Sequence, residues 1–72
     1  MRYVVVIEKG IEGYGAHVPD LPGCIAAADT VEEVKILIKE AIEFHIEGLL
    51  EAGEPVPEPS SESIYVDVEA AA

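Results

Sequence analysis

Residues 19–24 read Pro19-Asp20-Leu21-Pro22-Gly23-Cys24. This stretch joins two strand-like runs, and a helix is predicted to begin six residues after it. Proline fixes the backbone φ angle, and Pro22-Gly23 suits the centre of a type II turn, where glycine takes a positive φ. Because two prolines and one glycine shape a backbone more than they perform chemistry, we interpret this Pro-Gly loop, residues 19–24, as a marker of the fold.

The sequence on both sides of the Pro-Gly loop predicts three short strands. Residues 3–8 are β-branched and aromatic, which favours a strand, and residues 9–13 contain two glycines suited to a hairpin loop. A second strand is expected at 14–18, antiparallel to the first. A third strand is expected at 24–28, and its small side chains leave room for another element to pack closely above them.

A long helix is predicted at residues 30–52. At its start Thr30 and Glu33 match a capping box, and at its end Gly53 and Pro55 are typical of the residues that follow a helix. Its apolar residues cover a wider arc than the ~100° that packing on one sheet face requires. Part of the helix is therefore predicted to contact another subunit or a partner. The candidate residues for an oligomer interface are Ile36, Phe44, Ile46 and Leu50.

A proline- and serine-rich connector at 54–63 follows the helix and is predicted to be extended. A fourth strand with one buried face is expected at 64–68, because apolar and polar residues alternate there. The predicted order is β-β-β-α-β, an α+β fold with an antiparallel-rich sheet and one long helix on one face. We expect a single domain over 1–72, with residues 70–72 frayed.

The chain carries 15 acidic and four basic residues, for a net charge of −11. This charge opposes direct nucleic-acid binding, which needs Lys and Arg to replace phosphate counterions. It favours a basic partner, or it serves only to keep a small apolar protein soluble. Half of the residues are hydrophobic, yet a chain this short buries only about 60–65% of its unfolded surface. We therefore expect it to form a homo-oligomer or to bind a partner.

Cysteine usage and hydropathy indicate the compartment. One cysteine cannot form an intrachain disulfide, and the sequence shows neither a signal peptide nor an apolar run of membrane length. We interpret the chain as cytoplasmic and without a membrane segment. The absence of Asn and Gln fits a thermophilic source.

The sequence predicts no catalytic, cofactor-binding or metal-binding residues. Cys24 and His17 flank the Pro-Gly loop and could meet as a nucleophile and its base, but a free cysteine is more often a small core residue. CxxC and HExxH patterns are absent. One enzyme alternative stays open, a metal-dependent nuclease remnant whose carboxylates lie near predicted strand ends. Those carboxylates are Glu8, Asp20 and Asp67.

Four blocks of the chain, in this order and spacing, resemble the HicB family. The blocks are YGAHVPDLPGC at 14–24, DTVEE at 29–33, AIE at 41–43 and GEPVPEP at 53–59. HicB proteins are the antitoxins of HicA–HicB toxin–antitoxin systems. The resemblance implies a degenerate ribonuclease-H-like fold without nuclease activity, and assembly into dimers or tetramers. It also implies a function, which is to neutralise a small basic mRNA-cleaving toxin by binding it.

The resemblance also leads to expectations about surfaces and regulation. We expect a toxin to contact the acidic face of the helix, through Glu40, Glu43 and Glu47, and the Pro-Gly loop, through Asp20 and Leu21. The helix is chosen for its charge, and the loop for its exposure and stiffness, since a pre-ordered loop loses little entropy on binding.

Many family members repress their own operon through an added C-terminal DNA-binding segment. The sequence ends soon after the predicted last strand, so we expect no such segment here. The alternative to the antitoxin function is an orphan oligomeric interaction domain without a toxin.

Overall fold

Three short strands and one long helix make up the framework of the computed structural model, which describes residues 1–70. The elements are β1 Val6–Lys9, β2 Tyr14–His17, β3 Ile25–Ala28 and α1 Val31–Glu51. The predicted α+β class and the β-β-β-α order are confirmed. The fraying expected at positions 71 and 72 lies outside the described residues.

The strands form one antiparallel sheet in the order β1-β2-β3. Ala16 at its centre lies opposite Ile7 on one side and Ala26 on the other. The β1–β2 hairpin is closed by a hydrogen bond of 2.7 Å from the Gly10 N–H to the Gly13 carbonyl. A Cβ at Gly13 would lie 2.6 Å from the Ala28 carbonyl oxygen, so the backbones approach here too closely for any other residue.

The core lies between this sheet and the helix. Its buried residues are Ala16, Val18, Leu21, Cys24, Val34 and Ile38. Among them only Leu21 and Val34 have no exposed surface at all. Leu21 therefore brings the Pro-Gly loop into the core, where it packs with residues of the sheet and of α1.

The Pro-Gly loop forms the turn that its sequence predicts. The Cys24 N–H donates to the Leu21 carbonyl at 3.0 Å across Pro22-Gly23, and Gly23 has a φ of 85°. Both features are those of a type II turn. The Val18 N–H donates to the Cys24 carbonyl at 3.2 Å, so the loop closes on itself.

Local sequence signals define both ends of α1. Thr30 has an extended backbone, and its Oγ1 accepts a hydrogen bond of 3.1 Å from the Glu33 N–H, which satisfies a helix donor that would otherwise lack a partner. At the other end Gly53 takes a φ of 71°. The Gly53 and Glu54 N–H groups donate to the Leu50 and Leu49 carbonyls at 3.1 and 2.9 Å. This is a Schellman motif.

The fourth strand predicted at 64–68 is absent from the sheet of this chain. In the described residues the sheet has three strands, and every residue from 62 to 70 is exposed. The alternating pattern favours a strand, but in this chain the segment pairs with neither edge of the sheet. Residues 62–70 instead extend away from the sheet and helix. The radius of gyration of the chain is accordingly 14.6 Å, against about 11 Å for a compact domain of this length.

Candidate interaction surfaces

The acidic helix face, consisting of Glu40, Glu43 and Glu47, is exposed along α1. Within residues 1–70, no Lys or Arg nitrogen lies within 4 Å of these carboxylates. The last turn of the helix contains no basic residue, and its C-terminus adds the negative end of the helix dipole. Within the described residues this surface therefore carries carboxylates that form no ion pair with a Lys or Arg of the same chain.

Large apolar side chains are exposed on the same helix. Ile36, Phe44 and Leu50 are mostly exposed and Ile46 is half-buried. By helical periodicity Ile36 and Leu50 lie on the side that carries the acidic helix face. A helix-to-helix contact between two copies through this side would bring like charges together.

A shallow apolar groove runs between the start of β3 and the second half of α1. Its lining includes Ile25, Phe44, His45 and Gly48. The side chains of Ile25 and Phe44 are exposed by 70% and 79%, and a Cβ added at Gly48 would contact nothing within 4 Å. The groove is therefore open to a partner.

The structure contradicts the expectation that Leu21 is an exposed contact residue. Its side chain is fully buried, because the turn at Pro22-Gly23 directs the loop inward and the sheet and helix close over it. The turn predicted at Pro22-Gly23 forms, but Leu21 at the tip of the loop belongs to the core.

Asp20 is occupied by the chain's own connector in an arrangement that we call the Asp20 clasp. Its Oδ2 accepts from the N–H groups of Ser60 and Ser61, both at 2.9 Å. Its Oδ1 accepts from the two hydroxyls at 3.2 and 2.7 Å. The hydrogen bonds from Ser61, followed by those from Ser60, lower the pKa of Asp20 to about 2. The clasp thus holds the connector beside the Pro-Gly loop.

Tyr3 makes a second attachment to the connector. Its hydroxyl donates to the Pro57 carbonyl at 2.6 Å, and burial, with Glu58 and Asp20 nearby, raises the pKa of this phenol. The sequence did not indicate Tyr3, Ser60 or Ser61 as functional. Adjacent serines can offer a carboxylate two N–H and two hydroxyl donors, but nothing local relates them to an aspartate 40 residues away.

The conceivable reactive groups do not form a catalytic arrangement. Cys24 is in the core, where burial raises the pKa of its thiol. His17 lies on the opposite face of the sheet from Ala16, and its Nδ1 is 3.8 Å from Glu8 Oε1. His17 and Cys24 therefore do not form the nucleophile–base pair that the sequence left open.

The described residues contain no cluster of three or more His, Cys, Asp or Glu side chains placed to hold a metal ion. Of the three carboxylates considered for a nuclease remnant, Asp20 is held by serines and Asp67 lies in the exposed segment. Among the described residues no helix is long and apolar enough to span a membrane.

A family model described as HicB_like antitoxin of bacterial toxin-antitoxin system matches residues 3–70. The chain belongs to the HicB-like antitoxin family. The resemblance seen in the sequence is thereby confirmed. The match includes the sheet, the helix and the connector, and it extends over residues 64–68, so that exposed segment is part of the HicB-like unit.

Relatives and a solved structure agree with this membership. A UPF0150 protein of Thermoplasma acidophilum is 43% identical over 67 residues, which cover 92% of this HicB-like chain and 97% of the relative. An uncharacterized 14.9 kDa protein of Haemophilus phage HP1 is 46% identical over 93% of this chain. The chain spans only 50% of that phage protein. A structure described as a HicA3 and HicB3 toxin-antitoxin complex matches with a TM-score of 0.72 and 35% identity, covering 83% of this chain and 70% of that chain.

Proposed function

We propose that this chain is a non-catalytic antitoxin that binds a small basic mRNA-cleaving toxin in the cytoplasm and covers its RNA-binding or catalytic surface. The observation that carries the proposal is the acidic helix face, with no Lys or Arg within 4 Å in the described chain. Family membership and the similarity to a HicA3–HicB3 complex support the class of partner.

The physical basis of the proposal is that the carboxylates of the helix take the place of the negatively charged phosphates of RNA. A surface that binds RNA carries positive charge, because it must neutralise phosphates. The carboxylates of Glu40, Glu43 and Glu47 offer such a surface a negative stripe on a rigid helix, so little conformational entropy is lost on binding. With a net charge of −11, the chain is suited to bind a basic protein rather than nucleic acid.

The test is a charge reversal of the acidic helix face, Glu40→Lys/Glu43→Lys/Glu47→Lys, titrated against a purified HicA-like toxin. We expect the Kd to rise by at least about 100-fold, since like charges at an interface are strongly unfavourable. The matched control is Glu12→Lys/Glu62→Lys/Glu69→Lys, which changes the net charge equally at exposed sites outside the helix. Unchanged affinity of the helix variant at low salt, where screening is weakest, would reject the proposed surface.

We also propose that the chain forms a homo-oligomer. Apolar side chains exposed away from the acidic helix face support it, at Ile64, Val66 and Val68, together with Phe44 in the groove. The same residues favour the second candidate function, an orphan oligomeric interaction domain without a toxin. Co-purification of this chain with a small basic protein encoded by a neighbouring gene would favour the antitoxin. The absence of such a gene would favour the orphan domain.

A further inference from the structure

We propose that segment 64–68 of one copy adds as a fourth strand to the outer edge of β1 in a second copy, with the exchange made reciprocally. This inference specifies a contact of the homo-oligomer proposed above and rests on that proposal. It does not depend on toxin binding.

The exchange segment, residues 64–68, has the pattern of a strand without a neighbour. Ile64, Val66 and Val68 are exposed by 81%, 68% and 82%, and Tyr65 is completely exposed. Alternation of this kind is typical of a strand that buries one face. Since the family match extends to residue 70, the segment is part of the shared unit rather than an unrelated tail.

The edge of β1 is suited to receive this strand. In the described sheet β1 pairs only with β2, so the backbone groups along its other edge have no strand partner there. Val4 and Val5 lead into β1, which begins with Val6 and Ile7. These residues favour strand pairing, and this edge contains no proline to block it. The other edge strand, β3, offers mainly alanines.

The clasp and the Tyr3 contact fix the point from which the exchange segment leaves the rest of the chain. Asp20 holds Ser60 and Ser61, and Tyr3 holds Pro57. These bonds fix the last part of the connector beside the start of β1. Only two residues separate Ser61 from the exchange segment, and in the structure the chain beyond them stands clear of the sheet.

A second copy of this chain can both supply the added strand and receive one. Each copy has one strand-like exposed segment and one free outer edge of β1, so two copies related by a two-fold axis can each supply a strand to the other. Charge favours this pairing, because Arg2 before β1 and Lys9 at its end outnumber Glu8 within it, whereas Asp67 lies in the exchange segment. A contact through the helix side that carries Ile36 and Leu50 would instead bring glutamates together.

The test is the double variant Tyr65→Pro/Val66→Pro. Successive residues of a strand direct their N–H groups to opposite sides, so prolines at both positions prevent pairing in either register. Because this segment is exposed, the variant leaves the core intact. The control is Glu69→Pro/Ala70→Pro, which places the same residues just beyond the segment. Mass and dimer Kd are measured by light scattering and sedimentation equilibrium.

We expect the wild type and the control to have twice the chain mass of 7.7 kDa, and the Kd of the segment variant to rise by at least about 100-fold, since strand addition depends on main-chain hydrogen bonds. NMR of mixed labelled and unlabelled copies should show contacts between β1 and the exchange segment across copies. A dimer unaffected by the prolines would overturn the exchange and leave the homo-oligomer standing. A monomeric wild type would overturn both the strand exchange and the homo-oligomer. The same holds if the monomer's segment pairs with its own sheet, or if it becomes ordered only when toxin is added.

Discussion

Replacing Leu21 by alanine tests whether the tip of the Pro-Gly loop belongs to the core. Its side chain is fully buried, and truncating such a leucine removes apolar burial and leaves a cavity. The expected loss is about 2–5 kcal/mol in the free energy of unfolding. A domain of this size has a total stability of roughly 4–11 kcal/mol, so the change removes a large share of it.

The assay is thermal and urea denaturation followed by circular dichroism. For a domain of this length each kcal/mol shifts the Tm by about 4–8 °C, so Leu21→Ala should lower the Tm on the order of 10–30 °C. Ile11→Ala is the control, because Ile11 is completely exposed in the hairpin loop and should change stability by no more than about 0.5 kcal/mol.

Both variants are compared at two protein concentrations tenfold apart, because self-association adds to apparent stability. If Leu21→Ala unfolds at the same temperature as the Ile11 control, the loop tip is not part of the core. The residue would then be available as a surface contact, as its place in a loop first indicated.

Two further predictions concern the clasp and the helix. The folded-state pKa of Asp20 is lowered to about 2 from 3.8, so its stabilising effect is complete above about pH 4 and disappears as the pH falls through about 2. A ¹³C NMR titration of the carboxyl carbon should have its midpoint near 2. In Ser60→Ala/Ser61→Ala the midpoint should rise only part of the way toward 3.8, because the two hydroxyl donors are lost and the two backbone N–H donors remain. A wild-type midpoint at 3.8 would show that the clasp does not form. At Gly48 an added Cβ meets nothing, so Gly48→Ala should raise the free energy of unfolding by up to about 1 kcal/mol. A decrease measured by urea denaturation would reveal close packing at that site.

The ends of the helix show what local sequence predicts well. Thr30 caps the Glu33 N–H, and Gly53 takes the positive φ that a Schellman motif needs. Both interactions join residues only a few positions apart, so residue type and spacing suffice to predict them. The type II turn at Pro22-Gly23 follows in the same way from the restricted φ of proline and the freedom of glycine.

The candidate surfaces show what local sequence patterns do not predict. Leu21 was expected at the surface because loops usually are exposed, and only the packing of α1 over the sheet makes it core. The Asp20 clasp joins residues 40 and 41 positions apart, and no periodicity relates them. For the exchange segment the alternation predicts a strand but not the edge that it pairs with.

The sequence by itself determined the order of the elements, both helix ends, the turn in the Pro-Gly loop, the acidic charge and the family, because each depends on residue type or short spacing. The tertiary structure decided that Leu21 is core, that Asp20 holds the connector and that segment 64–68 stands free of its own sheet. These facts depend on which distant groups meet in space, and that is settled by packing and hydrogen bonding across the whole chain.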